Sequence, residues 1–414
     1  MTHQAPTQPP QEGAGSAHLL YSEQEEDLRA AVRALLADRC PPETVLAHAE
    51  GGRAYDTALW QALGAEMGTA GLLVPEQLGG AGGSAREAAV VLEELGRAVS
   101  PVPYLTSAVI ATQALLSCVG AMADANTDSG EQPRAAAETA ADAEVAVELL
   151  AALASGERVG VLAVPLSSAP GSASAVTVRA DAHAALTGQI AGVADALAAD
   201  VLLVPADGPD GVGLYAVETS APKAARLRLD PSTPLDLTRT LARISLDAMS
   251  ARRVAGPGGA EAAIARALLT GAGLLASEQL GLAEWCLTQT VRYTKERHQF
   301  GRPVGSFQAL KHRMAALWLD LVSARAAARA AADALATGDR DAPVAVAVAQ
   351  AHTARVAVRA AQECVQLHGG IGMTWEHPAH LYLKRAKSDE IALGTPGRHQ
   401  EVLARLIDLP APTG

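Results

Sequence analysis

Apolar and polar positions follow a helical period over most of the chain, and the period changes twice. Between residues 22 and 120 apolar side chains recur at three- and four-residue spacing, as with Leu28, Val32 and Leu35 in "EEDLRAAVRALLADRC". Ser22 followed by Glu25 opens this stretch as a capping box. "GTAGLLVPEQLGGAGGS" interrupts it with a short apolar run and Gly-rich turns, and "AREAAVVLEELGRAV" resumes it. From about 157 to 250 the pattern becomes short β-rich runs: "RVGVLAVPL", "SAVTVRA", "DVLLVPA", "GVGLYAVET", "ARLRLD" and "LARISLD". Gly, Pro and Asp separate them at intervals that predict a β barrel or sandwich of modest size.

Helix returns at about residue 258. "EAAIARALLTGAGLLASEQLGLAEWCLTQTVRYTKERHQF" predicts one helix of about 40 residues, ~60 Å long. "SFQALKHRMAALWLDLVSARAAARAAADALATG" predicts a second. "APVAVAVAQAHTARVAVRAAQECVQLHGG" predicts a third, stopped by its Gly pair. Short breaks between long helices predict antiparallel neighbours in a bundle. The chain therefore reads as an α+β multidomain protein. Residues 1–20 form a disordered tail, 21–150 a helical domain, 151–255 a central β domain and 256–414 a C-terminal four-helix bundle. Within the first domain, residues 121–143 are polar and low in complexity and read as a loop or insertion.

Composition narrows the function classes. Of the 414 residues 49% are apolar, enough for a large core, and the net charge of −12 without a basic stripe argues against nucleic acid. The polar, Pro-rich N-terminus lacks the apolar core of a signal peptide. With no uninterrupted apolar run of ~18 residues, a cytoplasmic protein without a membrane span is expected. Cys40, Cys118, Cys286 and Cys364 show no CxxC spacing, which favours buried thiols over a zinc site or a disulfide framework.

Three segments carry a resemblance: "YTKERHQFGRPVGSFQALKHRMA" at 293–315, "CVQLHGGIGMTWEHPAHLYLKRAKSDEI" at 364–391, and "GLLVPEQLGG…VVLEELGRAVSPVPY" in the N-terminal domain. On these the chain resembles the flavin-dependent acyl-CoA dehydrogenases, from about residue 20 to residue 409. Its "GMTWEHPAHLYLKRAK" form looks most like actinobacterial members acting on bulky substrates such as sterol side chains. The resemblance implies an acyl-CoA dehydrogenase-like fold. It implies FAD at a subunit interface in a homo- or hetero-oligomer, an acyl-CoA substrate, and electron-transfer flavoprotein or another acceptor. It also implies that Arg297, Gln299 and Phe300 meet the FAD of a neighbouring subunit, with Arg297 suited to the pyrophosphate as a planar fork of donors. Phe307 and Gln308 match a further contact pair. Gln366, Leu367, His368, Gly369 and Gly370 match the adenosine-side segment, where glycine admits close backbone approach. Thr395 matches a hydroxyl near the cofactor.

The reaction so implied removes an α-proton from an acyl thioester while the flavin takes hydride from the β-carbon, leaving a trans-2-enoyl thioester. It needs a base, ordinarily a carboxylate. Most of the family has Glu directly before the Gly-Thr pair; here Leu393 stands there. Some relatives carry the base thirty residues before the equivalent of Gly301, where this chain has Gly271, followed by Ala272 in place of an Arg. The family's Trp after "LTG" is replaced by Ala191, and its Thr-Glu-Pro turn becomes "VPLSSAPGSAS". Glu278, two turns beyond Gly271 on an apolar helix, is a candidate relocated base, alternatively a buried Glu paired with an Arg. Glu390, three residues before Leu393, reads as a surface charge, and Glu376 as a turn residue. Three classes stay open: an acyl-CoA dehydrogenase subunit, with its base either relocated within this chain or supplied by a partner, a non-catalytic structural subunit, and a flavin oxidase of the same fold.

Overall fold

The computed structural model describes residues 19–125, 133–172, 176–220 and 226–410. Most of the expected N-terminal tail lies outside the described residues. Helix α1 (Glu23–Arg39) begins with the Ser22–Glu25 capping box, followed by α2 (Pro42–Gly51) and the short α3 (Thr57–Trp60). Helix α4 (Ala85–Ala98) has a second box, in which Ser84 and Glu87 satisfy each other's orphan N–H groups. A π-helical segment, Tyr104–Ala111, runs directly into α5 (Thr112–Ala125). Helix α6 (Pro133–Ala154) corrects the reading of 121–143 as a loop, because Ala-rich sequence from Pro133 onward is helical. Asp142 of α6 is tied down by Arg253 Nε at 2.8 Å.

The β layer is one sheet. Its strands are β1 (Gly160–Leu162), β2 (Val178–Ala180), β3 (Ala185–Ala194), β4 (Val201–Gly208), β5 (Gly211–Glu218), β6 (Leu227–Ser232), β7 (Leu241–Ser250) and β8 (Arg252–Ala255). The order is β6-β7-β3-β2-β4-β5-β8, with β1 parallel to β4. Edge strands β6 and β8 are not paired with each other among the described residues, so the sheet is open. Strand β3 shifts register against β7 between Ile190 and Val193, a β-bulge.

The bundle contains α7 (Gly259–Glu296), α8 (Gln308–Thr337), α9 (Ala342–Leu367), α10 (Ala379–Ile391) and α11 (Pro396–Leu406). Between α7 and α8 lies a small hairpin, β9 (His298–Gln299) and β10 (Arg302–Pro303). Helix α7 is long and apolar enough to cross a membrane by length and composition, but it is the core helix, packed against α4, α5, α8 and α9. All four cysteines are buried and free.

Helices α4 and α7 cross at bare backbone. A Cβ on Gly281 would lie 1.7 Å from Glu93 O, and one on Gly96 2.0 Å from Glu278 O. Gly281→Ala is therefore expected to destabilise the protein by roughly 2 kcal/mol or more through overpacking. Gly397→Ala, whose added Cβ meets nothing within 4 Å, should leave stability unchanged or raise it. Paired denaturant melts check this.

Candidate active site

The family base positions come together. Leu393 is buried, with a left-handed backbone (φ 53°). Its N–H donates to Leu166 O at 2.7 Å and its carbonyl accepts from His399 Nε2 at 2.9 Å. A Cβ placed on Gly271 would lie 3.3 Å from Leu393 Cδ1, but only 2.7 Å from Ile110 Cγ1. Ile110, from the π-helical segment, and Leu393 thus both pack against Gly271, and Ala272 beside Gly271 is fully buried. Leu166, from the altered segment, links this point to β3: its N–H donates to Gly192 O at 2.8 Å, beside Ala191 in the β3 bulge. Ala191 itself is exposed. Thr395 caps α11 by accepting from Arg398 N–H at 3.3 Å.

Glu278 lies elsewhere on α7, enclosed in a charge network. Its two oxygens accept from Arg239 Nη2 at 2.8 Å each, and Oε1 also accepts from Arg385 Nη1 at 2.5 Å. Arg239 Nη1 donates to Asp389 Oδ1 at 2.7 Å, and Arg385 Nε to Asp236 Oδ2 at 2.5 Å. Arg385 Nη2 adds a bond to Thr238 Oγ1 at 2.6 Å. Glu278, Arg239, Arg385, Asp236 and Asp389 are all at most 5% exposed. Burial pushes the Glu278 carboxyl upward, but the charges and hydrogen bonds of Arg239 and Arg385 win and hold it below its ordinary value. A carboxylate stabilised in this way is a poor proton acceptor. Glu390 pairs with Lys387, and Glu376 is exposed.

The predicted flavin segments gather at the far end of α7. Arg297 ends that helix and makes no hydrogen bond or ion pair through its side chain among the described residues. Gln299 pairs with Arg302 across the hairpin, whose two turn residues, Phe300 (φ 54°) and Gly301 (φ 74°), are both left-handed. That is the two-residue turn compatible with strand twist, and it leaves Phe300 90% exposed. Phe307 meets Phe300 edge-on at 6.1 Å and carries the Arg302 guanidinium 4.0 Å above its ring. Gln308 begins α8.

Gln366 and Leu367 finish α9, and His368 stacks on Tyr293 at 4.4 Å. This stack joins the "QLHGG" segment to the last turns of α7, one turn before Arg297. Gly369 and Gly370 are exposed, and a Cβ on either would meet nothing within 4 Å. An unpaired guanidinium beside open backbone suits a phosphate-bearing ligand. Gly271 and Arg297, twenty-six residues apart on one helix, are separated by roughly 40 Å. The Leu393 junction and the Arg297 end are thus two places, too far apart for one dinucleotide cofactor of this chain to span. Among the described residues no group of three or more His, Cys, Asp or Glu is placed to hold a metal.

Comparison with known proteins identifies the family. Residues 22–121 match the acyl-CoA dehydrogenase N-terminal domain, and residues 258–407 the acyl-CoA dehydrogenase C-terminal domain. The acyl-CoA dehydrogenase IpdE2 of Mycobacterium tuberculosis (strain ATCC 25618 / H37Rv) is 36% identical over 384 residues, 93% of this chain and 96% of that protein. The chain belongs to the acyl-CoA dehydrogenase family. Two solved complexes contain similar acyl-CoA dehydrogenase folds. A chain of the ChsE4-ChsE5 complex from Mycobacterium tuberculosis has a TM-score of 0.78 and 27% identity, covering 95% of this chain and 100% of that one. A chain of a variant of the Tcur3481-Tcur3483 steroid ACAD has a TM-score of 0.75 and 29% identity, covering 93% of this chain and 98% of that one. FAD is the cofactor of acyl-CoA dehydrogenases of this fold.

Two contributors to the site were missed in the sequence. Ile110 lies in an apolar helical stretch with nothing to mark it, and Arg239 sits in a turn thirty-nine residues before its partner Glu278. Glu278→Gln is expected to lower stability by about 3–5 kcal/mol, because it leaves two buried guanidinium groups short of charge. A denaturant melt checks this; a relocated base would instead give a stable, inactive protein.

Proposed function

We propose that this chain is one subunit of a heteromeric, FAD-dependent acyl-CoA dehydrogenase, and that a related partner chain supplies the catalytic carboxylate. The assembly converts an acyl-CoA thioester to the trans-2-enoyl-CoA. The observation carrying this reading is the packing of Ile110 and Leu393 against Gly271. Apolar side chains enclose both family base positions, and neither Gly271 nor Leu393 can accept a proton. Glu278 is a structural carboxylate in this reading.

Bound FAD supplies the hydride acceptor. The residues of this chain that would hold it are those at the Arg297 end: Arg297 toward the pyrophosphate, with Gln299, Phe300, Phe307 and Gln308 around it. The open backbone of Gly369 and Gly370, beside Gln366, Leu367 and His368, fits the adenosine side. Because this end lies far from Leu393, the flavin it grips belongs to the partner's active centre. Its contribution is to bind and orient the cofactor and to exclude water there. Trp318, Leu319 and Val322 present an exposed apolar stripe along α8, consistent with a partner on the bundle. The similarity to chains from ChsE4-ChsE5 and from a steroid ACAD supports a hetero-oligomer and a bulky, sterol-derived acyl group.

The test is co-expression with a related acyl-CoA dehydrogenase chain that carries Glu directly before its Gly-Thr pair. The pair is expected to purify as a yellow, active complex, and this chain alone as an inactive protein. Robust dehydrogenation by the purified single chain would overturn the reading. Within the complex, Arg297→Ala in this chain should reduce FAD content at least about tenfold, with Arg297→Lys restoring only part of it, since Lys lacks the planar fork. Absorbance of the flavin per complex measures both.

A further inference from the structure

The junction around Glu278 contains more negative than positive groups. Four buried carboxyl groups, Asp195, Asp236, Glu278 and Asp389, face two buried guanidinium groups, Arg239 and Arg385. They come from three layers: Asp195 from the end of β3, Asp236 and Arg239 from the loop before β7, Glu278 from α7, and Arg385 and Asp389 from α10. Asp195 also accepts from Thr106 Oγ1 of the π-helical segment at 2.8 Å, which brings in the N-terminal domain.

The bonding within the cluster is uneven. Both oxygens of Glu278 and both of Asp236 have donors. Asp389 is completely buried; its Oδ1 receives Arg239, while its Oδ2 has no hydrogen-bond partner. A bare carboxylate oxygen in that position is costly, whereas a protonated carboxyl removes the surplus charge. We infer that this junction is a proton-dependent latch between the three layers: Asp389 holds a proton when the layers are closed, and the junction loosens when that proton leaves.

The electrostatics agree with the geometry. Burial and the neighbouring Glu278 push Asp389 up to about 7, against the pull of Arg239 and Arg385, and Asp236 adds to the rise. Burial raises Asp195 to about 6, opposed by Arg239 and Thr106. Other charges nearby are Lys384 of α10, which acts on Asp236, and the buried Cys40 thiol, which feels Arg385. From α9 the facing groups are Gln350 and Thr353, reached through Gln279, and neither titrates. Asp389 is raised above its unfolded value, so its contribution to stability is fully present below about 4 and is lost as pH rises toward about 7. Asp389 precedes Leu393 by four residues, so the end of α10 connects the junction to the Leu393–Thr395 turn.

The experiment compares the wild-type chain with Asp389→Asn between pH 5 and pH 8, by denaturant melts. Asn cannot lose the proton, so the folded-to-unfolded ratio of the variant relative to wild type should rise at least about tenfold across that range. Loss of the Arg239 ion pair in a purely structural role gives no such rise, and parallel pH profiles overturn the latch. If Asp389→Asn does not fold, hydrogen exchange on the wild type decides. After correction for intrinsic rates, protection of α10 should fall relative to α4 between pH 6 and pH 8.5. An unchanged ratio of α10 to α4 protection overturns the proposal.

Discussion

Two guanidinium groups shut away from water set the terms for the whole molecule. Each buried ion costs several kcal/mol unless its partners are close and well placed. Arg239 and Arg385 find theirs only when the β layer, α7 and α10 are assembled together. None of these elements satisfies its own charges, so the layers cannot pack as independent modules. The α4–α7 crossing fixes the same region from the other side, since Gly96 and Gly281 bring two backbones into direct contact. Helix α7 is therefore locked in both rotation and translation at Glu278.

That locking makes the Glu278 carboxylate poorly suited to serve as a base. What makes a base useful is an unpaired oxygen within reach of substrate and a tuned affinity for protons. Glu278 has its oxygens filled by donors and its proton affinity lowered. Reactivity has been traded for cohesion at this position. At the Leu393 junction the same outcome is reached with apolar packing, through Ile110.

Much of the architecture was legible in the hydrophobic pattern. The three long bundle helices begin and end within a few residues of where periodicity, the Gly pair and Gly338 place them, because each is long enough for its period to be unambiguous. The helix from Pro133 was hidden by its polar, alanine-rich composition, which imitates a linker until Asp142 is seen paired with Arg253. The sequence separated Glu278 as either base or buried ion pair, and only the fold reveals which Arg arrives. Arg239 comes from a turn whose residues carry no periodic signal, so its destination is set by topology alone. Ile110 was equally silent, since an apolar residue on an apolar helix does not reveal which part of the core it packs against.

The Phe300–Gly301 turn has a kinetic consequence. With both residues already in the left-handed region and the short ladder formed, the hairpin is a finished shape before it touches anything. A segment that folds on contact must give up backbone freedom at that moment. In the assembly proposed above, this one has little left to give up, so docking there would be governed by encounter orientation and by how quickly water leaves the Phe300 ring. The single chain carries an uncovered aromatic at a fixed projecting point, and in the proposed assembly this would favour early association.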